Sequence, residues 1–219
     1  MLISKFIEAI KPHVDFNSIK TICDIGSRDL EQSFELLKVF PNATIHAFEP
    51  NPESYEKCLD QAVEGIEVYP YAVLDYDGMT SFYAVDQKDN SGASSIFEPT
   101  EDVVGVDRFE GMKKIDVMCT RIDTWAEQNK IEKIDLVWMD VQSAEIPALK
   151  GFGTMLDDIQ AIATEAATGT LYFGNRQYEP SHYQEVNKFM TDKGFVEVSY
   201  DQPWPLEADL VYINKNEKR

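Results

Sequence analysis

Four acidic residues stand at or just after the ends of apolar runs that are typical of buried parallel β-strands: Asp24, Glu49, Asp140 and Glu165. The carboxyl ends of parallel strands meet at one edge of a sheet, and ligands of open α/β folds bind at that edge. Carboxylates placed there can accept hydrogen bonds from hydroxyl groups, attract a cationic ligand or remove a proton. The sequence therefore predicts a ligand site that is built largely from acidic side chains.

Gly26 and Glu49 have the spacing of a ribose-binding unit. Gly26 follows the first apolar run and lets the backbone turn tightly and approach a ligand. Glu49 lies 23 positions further on, close to the roughly 20-residue offset at which an acidic residue binds a ribose in Rossmann-like folds. An adenosine-type ligand is therefore the first hypothesis. A nicotinamide oxidoreductase is the alternative, which is disfavoured because the further glycines of G-x-G-x-x-G do not follow Gly26.

The elements that must position these residues alternate between strand and helix. Strands are predicted at 19–25, 43–48, 66–69, 134–140 and 159–164, and helices at 29–40, 53–63, 123–128 and 181–192. Two further runs, 80–85 and 114–121, are predicted to pair as an antiparallel addition to the sheet. The last two runs, 195–200 and 209–213, are predicted to form a terminal antiparallel hairpin. This order predicts an α/β fold.

Composition limits the class of protein. The 219 residues, 43% of them hydrophobic, suit one core, and we expect a single domain over 1–219 with an amphipathic amino-terminal helix within 1–18. The formal net charge of −19 disfavours nucleic acid and anionic membranes as partners. No apolar run is long enough to span a bilayer. The widely spaced Cys23, Cys58 and Cys119 indicate buried thiols and no metal site, so we expect a cytoplasmic protein.

The segment 86–112 interrupts the regular alternation. It is polar and acidic, and it contains the sequence Asn90-Ser91-Gly92-Ala93-Ser94-Ser95. A loop of this length inside a compact domain is usually either functional or disordered. We therefore predict an ordered lid or substrate loop, with a mobile, solvated loop as the alternative.

Five motifs occur in the order and at the spacing of a known family. They are Asp24-Ile25-Gly26-Ser27-Arg28-Asp29, Phe48-Glu49-Pro50-Asn51-Pro52, Ala72-Val73-Leu74 followed by Asp77-Gly78, Gly92-Ala93-Ser94-Ser95, and Met139-Asp140-Val141-Gln142 followed by Glu145 and Leu149-Lys150-Gly151. The set resembles the FkbM-type methyltransferase family. The resemblance implies a Rossmann-like class I methyltransferase fold, with helices on both faces of a seven-stranded, mostly parallel sheet. It also implies S-adenosylmethionine as methyl donor and O-methylation of a small-molecule or glycan acceptor.

The resemblance also implies the members of a cofactor site, which are Asp24, Gly26, Ser27, Arg28, Glu49, Pro50, Asn51, Ala72, Asp140 and Gln142. Asp24 and Asp140 are expected at the ammonium group of S-adenosylmethionine, and Glu49 at its ribose. The turn formed by Gly26, Ser27 and Arg28 is expected at the carboxylate, because backbone N–H groups at a helix start favour an anion. Asn51 and Ala72 are expected beside the adenine.

Methyl transfer to an alcohol needs a base, because a hydroxyl group is a poor nucleophile at neutral pH. Asp140 and Glu165 are the candidate catalytic residues at the predicted sheet edge. Asp140 is also expected at the ammonium group of the donor. Glu165, at the predicted end of the next strand, is therefore the predicted base.

Two positions depart from the family pattern. Leu30 stands where the first motif commonly has a glycine, and Ser143 stands where the pattern usually reads Gln-Gly. We expect Leu30 to be tolerated, because a residue in the first helical turn can point into the core. Ser143 places a Cβ and a hydroxyl beside Asp140. A catalytically silent relative that binds a ligand or a partner protein is therefore a third hypothesis.

Overall fold

A computed structural model of the chain describes residues 1–85, 91–100 and 112–215. Most of the insertion at 86–112 lies outside these residues, so the hypothesis of a lid stays a prediction. The strands of the described residues are, in chain order, β1 (Thr21–Ile25), β2 (Thr44–Phe48), β3 (Ile66–Tyr69), β4 (Ala72–Val73), β5 (Gly78–Ala84), β6 (Glu98–Pro99), β7 (Lys113–Thr120), β8 (Leu136–Met139), β9 (Ala161–Ala167), β10 (Tyr172–Phe173), β11 (Phe195–Trp204) and β12 (Glu207–Asn214).

Seven of these strands form the main sheet, in the order β11-β12-β9-β8-β1-β2-β3. The strands from β9 to β3 run parallel, and β12 is antiparallel to both of its neighbours. The central strands are buried on both faces, which suits near-continuous apolar runs such as that of β8. The predicted seven-stranded, mostly parallel sheet and its terminal antiparallel hairpin are both confirmed.

The middle of the chain forms a second sheet. β5 and β7 pair antiparallel as predicted, but they join β4 in a separate three-stranded sheet of order β4-β7-β5. The prediction that they extend the main sheet is therefore wrong. The chain leaves β3 at Pro70, which has no N–H to continue the hydrogen-bond ladder. β6 and β10 form a further two-stranded sheet.

The described helices are α1 (Ile3–Ile10), α2 (Glu31–Val39), α3 (Pro52–Gln61), α4 (Ile122–Asn129), α5 (Glu145–Gly151) and α6 (Tyr183–Asp192). Buried side chains of α1 to α3 pack on one face of the main sheet, and those of α4 to α6 pack on the other. Helices on both faces were predicted, and this is confirmed. None of the described helices is long and apolar enough to cross a membrane. Cys23, Cys58 and Cys119 are buried free thiols, as predicted.

The register of the sheet brings the predicted site residues to one level. Ile25 at the end of β1 lies opposite Phe48 at the end of β2 on one side and Met139 at the end of β8 on the other. The residues that follow these three positions are Gly26, Glu49 and Asp140. Each of them therefore leaves the sheet at the same carboxyl edge.

Candidate cofactor and catalytic site

A cavity of about 520 Å³ opens at this edge. The predicted cofactor residues that line it are Gly26, Arg28, Glu49, Pro50, Ala72 and Asp140. The rest of its wall is mainly apolar, and Gly92, Ser94 and Ile96 of the segment 91–100 contribute to it. Four predicted residues do not line the cavity: Asp24, Ser27, Asn51 and Gln142.

The carboxylate of Glu49 is held in place by two backbone groups. Its Oε2 accepts a hydrogen bond from the N–H of Arg28 at 2.8 Å, and its Oε1 accepts one from the N–H of Asn51 at 2.8 Å. Burial raises the pKa of Glu49 to about 7, although both hydrogen bonds favour the ionised form. The side chain is thus fixed at the cavity wall and retains lone pairs with which it can accept hydrogen bonds from a diol.

Asp24 lies within the sheet, next to the turn that borders the cavity. Its Oδ2 accepts a hydrogen bond from the hydroxyl of Ser33 in α2, whereas Oδ1 has no hydrogen-bond partner among the described residues. Burial raises the pKa of Asp24 to about 7, and the charge of Asp140 adds to the rise. A buried carboxylate oxygen without a partner is suited to a nearby cationic group.

The turn after β1 uses its backbone N–H groups internally. Those of Gly26 and Ser27 donate to the carbonyl oxygen of Phe48 at 2.9 and 3.1 Å, and that of Arg28 donates to Glu49. The guanidinium of Arg28 contacts Asp29 and, at 3.2 Å, Glu31. The side chain of Ser27 is fully buried. The expected contact between this turn and a ligand carboxylate therefore stays a prediction.

Asn51 and Ala72 have different roles in the structure. The Oδ1 of Asn51 accepts a hydrogen bond from the N–H of Glu53 at 3.1 Å, so Asn51 caps α3, with Pro52 in the first helical position. Ala72 and Pro50 give apolar surface to the cavity wall. Of the two residues expected beside an adenine, Ala72 is the one that lines the cavity.

Gln142 connects the two candidate catalytic carboxylates. Its Nε2 donates one hydrogen bond to Asp140 Oδ1 at 2.7 Å and another to Glu165 Oε2 at 2.9 Å. On the other side of the amide, the hydroxyl of Tyr172 lies 3.0 Å from Gln142 Oε1. Asp140 lines both the main cavity and a smaller one of about 210 Å³, which Glu165 also lines. The structure therefore brings both predicted catalytic residues together.

Glu165 occupies a different place in its strand from the one predicted. The prediction that it ends the strand is wrong, since β9 continues to Ala167. Burial raises the pKa of Glu165 well above its usual range, and the charges of Asp140, Glu207 and Asp209 add to the rise. A carboxyl group whose pKa is raised in this way is suited to general acid–base chemistry near neutral pH.

Several polar residues of this group were not found from the sequence. They are Ser33, Tyr172, Glu207 and Asp209. Ser95 belongs to the motif Gly92-Ala93-Ser94-Ser95 but was assigned no role. Glu207 and Asp209 alternate with apolar residues in β12, and the backbone of Asp209 lies opposite that of Glu165. Asp209 lies in the strand predicted at 209–213 and was an available signal, whereas Glu207 precedes that predicted strand. Tyr172 lies outside the predicted elements, where periodicity gives no information.

The turn after Asp140 is left-handed at two successive residues. The φ angles are 50° at Gln142 and 73° at Ser143, in a region that residues other than glycine seldom adopt. Glu145 Oε1 accepts a hydrogen bond from the N–H of Ser143 at 3.0 Å, and the N–H of Ser181 donates to the carbonyl oxygen of Ser143 at 2.7 Å. Hydrogen bonds thus support the turn at the position where the family pattern has a glycine.

Leu30, the other departure from the family pattern, has a φ of 63° and a fully buried side chain. The expectation that it points into the core is confirmed. A leucine at this position combines an unfavourable backbone conformation with favourable burial.

The strand order of the main sheet, together with a cavity bounded by Gly26 and Glu49, defines a class I methyltransferase architecture. The family model described as methyltransferase FkbM domain matches residues 24–197. The chain belongs to this family, and the family and enzyme class inferred from the five motifs are thereby confirmed.

Comparison with known proteins gives one similar sequence of assigned activity. The 2-O-methyltransferase NoeI of Sinorhizobium fredii is 30% identical over 161 residues, which cover 70% of this chain and 65% of that protein. The match thus spans slightly less than two thirds of the length of that relative.

Two solved structures share the fold at low sequence identity. Fibrillarin in its complex with Nop5p is 12% identical, with a TM-score of 0.53 over 96% of this chain and 80% of the other. Sp1610 of Streptococcus pneumoniae, to which a tRNA (m1A22) methyltransferase activity has been attributed, is 13% identical, with a TM-score of 0.51 over 100% of this chain and 73% of the other. These similarities confirm the predicted fold class.

Proposed function

We propose that this chain is an S-adenosylmethionine-dependent O-methyltransferase that acts on a hydroxyl group of a sugar, glycolipid or natural product. Membership of a methyltransferase family supports the reaction class. The similarity to a 2-O-methyltransferase supports a hydroxyl group as acceptor.

The backbone-held carboxylate of Glu49 at the cavity wall is the observation that carries the proposal. S-adenosylmethionine combines a ribose diol with a cationic sulfonium and ammonium, and the residues present fit each part. Glu49 would hold the ribose, and Asp140 at the cavity wall would face the positive charges, with the buried carboxylate of Asp24 behind the turn adding to the negative potential. Ala72 and Pro50 would contact the adenine.

When bound, S-adenosylmethionine supplies a methyl group on a positively charged sulfur, which makes that group an electrophile. Asp140 lies between the main cavity and the smaller one that Glu165 lines. Glu165 would take the proton of the acceptor hydroxyl, since its raised pKa favours a proton acceptor that works near neutral pH. The side-chain amide of Gln142 donates hydrogen bonds to both Asp140 and Glu165.

The net charge and the cysteines of the chain bear on the class of acceptor and on the cellular compartment. A net charge of −19 disfavours nucleic acid as acceptor, because phosphate binding needs clustered Lys and Arg. The buried free thiols Cys23, Cys58 and Cys119 are consistent with a reducing compartment. A glycan or small-molecule acceptor in the cytoplasm is the setting that we propose.

A nicotinamide oxidoreductase is the principal alternative. A dinucleotide pyrophosphate needs a glycine two positions after Gly26 so that the backbone can approach it. Arg28 occupies that position, and its side chain contacts Asp29 and Glu31. The oxidoreductase hypothesis is therefore disfavoured. A catalytically silent relative is the remaining alternative, and turnover distinguishes it.

Thermal unfolding in the presence of different ligands tests the proposal. S-adenosylmethionine and S-adenosylhomocysteine should each raise the Tm, because a ligand that binds only the folded state stabilises it. NAD at the same concentration should leave the Tm unchanged. Stabilisation by NAD alone would support the oxidoreductase. Stabilisation by S-adenosylmethionine without turnover on any hydroxylated acceptor would support the silent relative.

A further inference from the structure

The side-chain amide of Gln142 lies at the centre of a hydrogen-bonded group that spans four parts of the chain. Its two N–H groups point to Asp140, after β8, and to Glu165, in β9. Its Oε1 faces the hydroxyl of Tyr172 in β10, and its backbone carbonyl accepts a hydrogen bond from Ser95 Oγ at 2.7 Å. Gln142 and Ser95 are both buried.

The two ends of this amide are not equivalent. Both carboxylates are acceptors when ionised, so only the NH₂ end of Gln142 can bind them. If the amide were reversed, its oxygen would face two carboxylates and its NH₂ would face the Tyr172 hydroxyl. The hydroxyl of Tyr172 has two acceptors within reach, Gln142 Oε1 at 3.0 Å and the carbonyl oxygen of Ala93 at 3.2 Å. Donation to the nearer Oε1 favours the productive orientation.

We infer that Gln142 is a positioning residue: its two N–H groups hold the carboxylates of Asp140 and Glu165 in a fixed position relative to each other. Tyr172 fixes the orientation of the Gln142 amide. The inference rests on the proposed function in assigning the role of base to Glu165. The bridging geometry itself does not depend on that function.

The hydrogen-bonded bridge that Gln142 forms between Asp140 and Glu165 should change the pKa of Glu165, because other carboxylates surround that residue. Among the residues that the structure describes, the charged groups that face Glu165 are Asp140 after β8, Glu145 of α5, and Glu207 and Asp209 of β12. The amino group of Met1 lies 3.0 Å from Asp209. The neighbouring carboxylates disfavour ionisation of Glu165. An N–H that donates to Glu165 favours ionisation, so the bridge should lower the pKa of Glu165 toward the working pH.

Two substitutions and one control test the inference. Gln142→Met keeps the length of the side chain and removes both N–H donors. Tyr172→Phe removes only the hydroxyl, and with it the contacts to Gln142 Oε1 and to the carbonyl oxygen of Ala93. Tyr178→Phe is the matched control, because Tyr178 lies on the same connection between β9 and α6 but binds Asp75 instead of Gln142.

The titration of Glu165 is followed by NMR of protein with ¹³C-labelled glutamate carboxyl groups, with Glu165→Gln used to assign the signal. Gln142→Met should raise the titration midpoint by about one pH unit or more, the scale of a lost hydrogen bond to a charged group. Tyr172→Phe should raise it by less, and Tyr178→Phe should leave it unchanged. The acid limb of the kcat profile should move by the same amounts, and Tyr178→Phe should leave it in place.

An unchanged titration of Glu165 in both Gln142→Met and Tyr172→Phe would overturn the inference. If Gln142→Met does not fold, the titration midpoints of Glu165 in Tyr172→Phe and Tyr178→Phe are compared instead, and equal midpoints would overturn the inference. Failure of the proposed function would look different: no acceptor would be methylated by the wild-type protein, while the midpoint of Glu165 would still respond to the loss of the bridge.

Discussion

The Oε2 of Glu49 accepts a hydrogen bond from the backbone N–H of Arg28 at 2.8 Å. This contact ties the end of β2 to the turn that follows β1. The position of the turn that borders the cavity and the position of the carboxylate that is expected to bind the ribose therefore depend on each other. A substitution at either place should affect ligand binding.

Replacement of Glu49 by alanine should weaken S-adenosylmethionine and S-adenosylhomocysteine to a similar degree, because the ribose contact does not change along the reaction. We expect micromolar binding, about −8 kcal/mol, for the wild-type protein. Loss of hydrogen bonds to a charged group should reduce the affinity by about 10–100-fold. Isothermal calorimetry measures both ligands. Glu53→Ala, an exposed position in α3, is the control, and an unchanged affinity in Glu49→Ala would remove Glu49 from the site.

The free energy of unfolding should fall as the pH rises from about 4 to about 7. Burial raises the pKa of both Asp24 and Glu49 to about 7, above the values of about 4 in an unfolded chain. Between these values the folded state binds more protons than the unfolded state, so stability decreases with pH. Urea unfolding at a series of pH values should show that Asp24→Asn flattens this dependence by a few kcal/mol. A dependence equal to that of the wild-type protein would contradict the raised pKa of Asp24.

Replacement of Gly26 by alanine should cause a large loss of stability. A Cβ at this position would lie 1.9 Å from the carbonyl oxygen of Asp140, and the φ of 85° is unfavourable for alanine. Gly78→Ala is the control, since Gly78 has a φ of 142° but open space around it, so only backbone strain of about 1–3 kcal/mol applies. Chemical denaturation should rank Gly26→Ala well below Gly78→Ala. Equal stability of the two variants would show that the close approach to Asp140 is not needed.

Glycine substitutions at Ser143 and Leu30 should have opposite effects, although both residues have positive φ. Ser143→Gly should keep or raise the free energy of unfolding by up to about 1 kcal/mol, because it relieves a left-handed conformation. Leu30→Gly should lower it by about 2–5 kcal/mol, because it also removes a fully buried side chain. Denaturant unfolding measures both. A large loss in Ser143→Gly would mean that the serine side chain is structurally required.

Replacement of Glu165 by glutamine should leave cofactor affinity unchanged and lower turnover by about 100-fold or more, which is the scale of a lost general base. Calorimetry measures the cofactor affinity, and steady-state kinetics with an acceptor that the wild-type protein methylates measure the turnover. Lys188→Gln, an exposed position on α6, should change neither. Near-normal turnover in Glu165→Gln would exclude Glu165 as the base and leave Asp140 or Glu145 as the candidate.

The fold could be predicted from the sequence because its strong signals are local. Apolar runs such as Leu136–Met139 identify the buried strands, and Pro52 and Asn51 mark a helix start through backbone geometry and capping. The sheet to which β5 and β7 belong could not be predicted, because it depends on the path of the chain after Pro70. Antiparallel pairing was predictable, whereas the separate sheet was not.

The candidate site shows the same limit. Gly26, Glu49 and Asp140 each follow a strand directly, so their common edge followed from the strand predictions. Tyr172 reaches Gln142 from a segment 30 positions away, and no spacing rule connects the two. The hydrogen bonds from the turn at Gly26 could not be predicted from the sequence either, since they depend on how closely Phe48 approaches that turn.

Methyl transfer itself tests the central claim most directly. The protein should be incubated with S-adenosylmethionine that carries an isotope-labelled methyl group, together with hydroxylated sugars and glycolipid headgroups. Mass spectrometry should then detect S-adenosylhomocysteine and an acceptor that carries the label as a methyl ether, with both products reduced in Glu49→Ala at limiting S-adenosylmethionine. The absence of S-adenosylhomocysteine and of any labelled acceptor from the wild-type reaction, together with saturable binding of NAD, would contradict the account.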